Sequence, residues 1–162
     1  MIAGTVATAV PKSLGAGRFW MLFLGLFVLA ALPVLLVALP PLFDYPNHLA
    51  RMYLLVHLPE SAALRRYYEV RWQALPNLAM DLVVPPLARL MPLAWAGRTF
   101  ILLALALVAA GAAFLHRAAT GRWSIWPLFA FLFLYSRVLL WGFLNYLFGV
   151  GLALVALATW IR

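Results

Sequence analysis

The chain has no cysteine, one lysine and four acidic residues in a length of 162. Without cysteine there is no disulfide, no thiolate metal site and no cysteine nucleophile. The three histidines are His48, His57 and His116, and the spacing of the first two fits no common ligand pattern. Charge of any kind is scarce: 10% of residues are charged and 67% are hydrophobic, with a mean hydropathy of +1.02. A soluble domain carries about a quarter of its residues charged, so a soluble fold is excluded. The net charge of +8 comes from scattered arginines. No soluble basic face exists to carry them, so nucleic acid is set aside and membrane lipid, anionic or phosphate-bearing, is the expected partner.

Long apolar runs fill the space that charge leaves. Residues 19–39 and 99–115 contain no charged side chain, and 123–161 contain only Arg137. A membrane helix needs about 20 mostly apolar residues to cross a core of about 30 Å. The first run is too long for a signal-peptide core, and Leu39-Pro40-Pro41 lacks a small-x-small cleavage pattern, so it reads as an uncleaved first span. Phe19, Trp20, Phe43 and Tyr45 stand where interfacial aromatics anchor such a span, and Pro33 is placed to kink it.

The last run is too long for one crossing. A single helix over 123–161 would measure about 58 Å, so the chain is expected to turn back at Ser136 to Gly142, giving spans at about 125–135 and 143–160. The alternative is one span with a re-entrant piece. The glycines Gly142, Gly149 and Gly151 suit close helix packing. The expected fold is therefore an all-α integral membrane domain over residues 1–162, with three to four transmembrane helices.

A long extracytoplasmic loop, 40–97, separates the first two spans and holds all four acids, Asp44, Glu60, Glu69 and Asp81. Apolar positions from Asn47 to Leu58 recur at helical spacing, with Asp44 or Asn47 as cap. Pro59-Glu60-Ser61 opens a second helical piece through Tyr68, and Asn77 can cap a third, Leu78 to Leu90, that Pro85-Pro86 must break or bend. The three read as short amphipathic helices on the membrane surface. With the amino end cytoplasmic, Lys12, Arg18, Arg117, Arg122 and Arg162 obey the positive-inside rule in the plasma (inner) membrane of a multi-pass protein. Arg51, Arg65, Arg66, Arg71 and Arg89 then lie outside, where a guanidinium fork suits phosphate.

A first span followed at once by an acid and a long loop of surface helices resembles the GT-C class of polytopic glycosyltransferases, which use polyprenyl-phosphate sugars. The likeness is carried by Phe43-Asp44-Tyr45-Pro46-Asn47-His48-Leu49-Ala50-Arg51-Met52. In that class an acid just beyond the first helix is the catalytic base or binds a divalent metal, and an aromatic or histidine follows about four residues on; Asp44 and His48 match. Members often carry two acids there, whereas Tyr45 and Pro46 occupy those places here. The resemblance covers the first span and the loop, about a third of such an enzyme. It implies a polyprenyl-phosphate sugar as donor and an amino-terminal portion of a larger bundle, with the remaining helices supplied by more chain, a partner subunit or self-association.

The residues allow the same chemistry to be argued directly. Sugar transfer from a lipid phosphate needs a base for the acceptor and a cation for the leaving phosphate. Asp44 is the candidate base, and Arg137 the candidate cation, with Arg51 less specific. His48 and Asn145 are candidates to orient the groups, and Asp81 is a second acid able to share a metal or a substrate hydroxyl. Each has a plainer reading: Asp44 as a helix cap, His48 as an interfacial histidine, Arg137 snorkelling to headgroups, and Asn145 as an interhelical hydrogen bond. The competing class is a non-catalytic membrane protein, namely an assembly partner, a lipid-binding scaffold or part of a transporter.

Overall fold

The computed structural model describes residues 13–162, and Lys12 lies outside them. Its elements are α1 (Ala16–Leu36), α2 (Tyr45–His57), a 3-10 turn (Leu64–Arg66), α3 (Ala79–Leu87), α4 (Leu93–Thr120), a second 3-10 turn (Trp126–Phe129), α5 (Ala130–Phe133), α6 (Arg137–Leu140) and α7 (Leu144–Trp160). Among the described residues 69% are helical and there is no strand. Two helices are long and apolar enough to cross a membrane: α1, of 21 residues, and α4, of 28. At 1.5 Å per residue they measure about 30 and 42 Å. The apolar helix α7 has 17 residues, about 26 Å.

The chain passes four times between the same two ends. Leu14 bridges to Trp123 at one end, where Phe19 stacks on Trp123 with ring centroids 4.6 Å apart. Further along α1, Phe23 meets the edge of Phe131, and the Tyr135 hydroxyl donates to the Ala30 carbonyl at 2.6 Å. At the other end Phe43 N donates to Leu140 O at 2.8 Å. The segment after α4 therefore runs alongside α1 for its full length. The sequence reading placed a helical span at 125–135; this pass is longer and is not one helix. It is a 3-10 turn, one α-turn, an extended Ser136 (ψ 166°) and a further α-turn. Aromatic contacts with α1, rather than an unbroken hydrogen-bond ladder, hold it.

Helices α4 and α7 run parallel and pack backbone to backbone. A Cβ added to Gly151 would lie 2.8 Å from the Leu107 carbonyl carbon, and one added to Gly111 would lie 2.7 Å from Leu154 Cβ. Glycine at both positions lets the helices approach as small residues do in membrane bundles. Phe100 stacks on Phe148 at 5.2 Å beside this contact.

The loop between α1 and α4 departs from the expected three helices. The second piece is only the turn Leu64–Arg66, and the aromatic and β-branched run after Tyr67 has no regular element before residue 79. Asn77 does not cap the third piece; it takes a left-handed conformation (φ 67°), which asparagine tolerates, and Leu78 holds the N-cap position. Pro85 and Pro86 do not break α3 but lie in its last turn, so the helix stops at Leu87 rather than Leu90.

Candidate functional site

Asp44 stands where the α1 connection enters α2. It occupies the N-cap position, yet its side chain makes no capping bond. Its Oδ1 instead accepts from Asn47 Nδ2 at 2.9 Å, and His48 Nε2 lies 3.3 Å from Oδ2. His48 Nε2 also donates to the Gly142 carbonyl at 3.1 Å. Both neighbours of Nε2 are acceptors, so this nitrogen carries the proton. The Asp44 side chain keeps 37% of its surface exposed.

The turn after α6 sits on this junction. Asp44 N donates to Trp141 O at 3.2 Å, one residue from the Phe43 bond described above. Gly142 adopts φ 86°, and a Cβ there would lie 2.9 Å from Asp44 N and 3.0 Å from Asp44 Cβ. Only glycine meets both demands, the left-handed backbone and the close approach.

Asp44 and His48 line a cavity of about 380 Å³ with Asn77, Phe143, Leu144, Asn145 and Tyr146. Asn145 Oδ1 accepts from Met80 N at 2.7 Å, satisfying an amide in the first turn of α3 from α7. The interhelical and cavity-lining readings of Asn145 therefore hold together.

Arg51 and Asp81, by contrast, face each other. Arg51 Nε donates to Asp81 Oδ1 at 3.0 Å and Nη2 to Oδ2 at 2.5 Å, a two-point pair that closes both oxygens of an aspartate only 3% exposed. Asp81 is not brought to share a ligand with Asp44. Its burial required a cation, and Arg51, one turn beyond His48, supplies it. Among the described residues no three His, Asp or Glu side chains converge. At Asp44 the single histidine turns a protonated nitrogen inward, so this donor set does not fit a divalent metal.

Arg137 opens α6, and its guanidinium lies 5.2 Å from the Trp141 ring centroid. It lines a separate cavity of about 250 Å³ with Val138, Trp141 and Phe143. Phe143 lines both cavities, so the one that holds Arg137 adjoins the one that holds Asp44.

The sequence reading missed two supports. Arg98 is 8% exposed, donates to the Ala38 carbonyl at 2.5 Å and stacks 4.6 Å from the Trp95 centroid. Tyr45 is 1% exposed with its hydroxyl against Gly97, and that hydroxyl has no partner. Desolvation raises the Tyr45 pKa, and the Arg98 charge opposes that rise. No spacing rule marks such residues; the only signal was an arginine next to a glycine at the start of an apolar helix.

No protein-family model, curated protein or solved structure matches the chain.

Proposed function

We propose that this is a multi-pass protein of the plasma membrane that transfers a sugar from a polyprenyl-phosphate donor at the outer face, with Asp44 as the general base. The observation that carries the reading is the state of the Asp44 carboxylate. It stands at the capping position without capping, is oriented by Asn47 and His48, and leaves a free edge in a cavity at one end of the bundle. A carboxylate whose job was to cap α2 would bond the helix amides instead.

In this reaction the acceptor hydroxyl gives its proton to Asp44 as its oxygen bonds to the anomeric carbon. The bond from that carbon to the phosphate breaks, and the lipid phosphate leaves with the electron pair. His48 holds the carboxylate in place, as the third member of a triad holds its base. Arg137, in the adjoining cavity, meets the charge on the departing phosphate. Three to four spans are in keeping with the four passes, of which α1 and α4 are long and apolar enough to cross. The cytoplasmic amino end is supported by Arg18, Arg117 and Arg122, which lie toward the end opposite Asp44.

Replacing Asp44 by asparagine in the complete protein should lower kcat by roughly 10²–10⁴-fold while membrane insertion is unchanged. Transfer at the unaltered rate would remove Asp44 from the chemistry. A second reading, a non-catalytic assembly partner, is favoured by α1, which leaves Met21, Leu24, Val28, Leu29 and Leu36 more than half exposed.

A further inference from the structure

Beside the cavity at Asp44, and sharing Asn77, Asn145 and Tyr146 with it, lies a trough of about 700 Å³ between α3 and α7, whose further lining includes Leu82, Val83, Phe148, Gly149 and Leu152. Resting on the reading of Asp44 as base, we propose that this trough holds the hydrocarbon tail of the acceptor, which is a membrane lipid with an uncharged, hydroxyl-bearing head group.

Three observations converge. First, the polar cavity and the apolar trough adjoin at Asn77, Asn145 and Tyr146, as an amphiphile spanning both would need, and the polar cavity contains the group that must reach the acceptor hydroxyl. Second, the head-group end is lined by a carboxylate, an imidazole, two carboxamides and a phenol, with no guanidinium or ammonium among them. Such groups exchange hydrogen bonds with hydroxyls. A phosphate there would face the Asp44 carboxylate without a cation, and the nearby guanidinium of Arg137 opens into the other cavity. Acceptor and donor are thereby assigned to the two cavities that Phe143 lines. Third, the trough follows α7 from Asn145 to Ala153, a descent of about 12 Å from the site toward the middle of the helix. Gly149 keeps the trough open: a Cβ added there meets nothing within 4 Å, unlike those at Gly142 and Gly151. Its missing side chain is not needed for helix packing.

The absence of cysteine makes this directly testable. Gly149→Cys and, on the α3 wall, Leu82→Cys are placed singly in the full chain, in phosphatidylcholine vesicles, and their rates of reaction with a membrane-permeant maleimide are measured. Leu24→Cys, on the exposed face of α1, is the control for folding and reagent access. Glucosyl diacylglycerol should slow labelling at both trough positions by roughly tenfold when present at about ten times its Kd, and leave Leu24→Cys unchanged. Phosphatidic acid at the same level should not protect. Equal protection by phosphatidic acid would assign the trough to a phosphate lipid and overturn the proposal, and so would protection by free glucose or no protection at all. Asp44→Asn in the Gly149→Cys background should still be protected. In the chain that keeps Asp44, protection without any transferase activity would sink the base reading alone, and transfer without protection would sink the trough alone.

Discussion

Gly142 lies against Asp44 backbone to backbone, with room for no atom where a Cβ would stand. The same glycine offers its carbonyl to His48, the residue one helical turn after Asp44. The turn that closes the third pass is thus the template on which the candidate base and its imidazole are set. Strain and alignment meet at one residue.

Gly142→Ala should therefore destabilise the fold. The left-handed φ and the 2.9 Å approach to Asp44 N together predict a loss of about 1–3 kcal/mol in stability, read as a lower thermal transition in detergent. Gly149→Ala, at a glycine with open space around it, should leave the transition unchanged. Equal behaviour of the two would mean that the turn does not rest on Asp44.

Arg51 and Asp81 are bonded to each other, and Asp81 is buried. Removing the arginine leaves a buried carboxylate unpaired, so Arg51→Ala should destabilise by about 1–3 kcal/mol, discounted from a fully buried pair because Arg51 is itself half exposed. Arg51→Met combined with Asp81→Leu should be milder than Arg51→Met alone, since no charge is then stranded. Additive losses in that cycle would show that the two side chains do not depend on each other.

Tyr45→Phe should be neutral or stabilising, because the hydroxyl it removes is buried without a partner. The folded-state pKa of Tyr45 is raised by desolvation, so its contribution to stability is present in full below about pH 10 and lost as pH rises through the higher folded value. Thermal transitions measured across that alkaline window should fall for the native chain and fall less for Tyr45→Phe. An equal fall in both would place the alkaline sensitivity elsewhere.

The apolar runs made the helical class legible, because hydropathy over about 20 residues needs no tertiary knowledge. Asp44 and His48 were singled out together through the likeness to the GT-C class, and they line one cavity with Asn145. The partner of Asp81 was not legible. Arg51 lies 30 positions away, and which arginine meets which acid depends on how α2 crosses α3. The third pass was misjudged for a related reason: periodicity describes a helix, whereas Phe131 and Tyr135 hold a broken segment by reaching across to α1. Gly142 was read as a packing glycine, and its positive φ and contact with Asp44 belong to the folded chain alone.

The central claim is that Asp44 and its loop face the outside of a cell from a membrane-embedded bundle. A cysteine at Ala62, exposed in the loop beyond α2, tests it by labelling with a membrane-impermeant maleimide in intact cells. Labelling before lysis is the predicted result and places the candidate base where polyprenyl-linked sugars are used. Protection in intact cells, with labelling only after lysis, would put Asp44 on the cytoplasmic side and contradict the outer-face transferase.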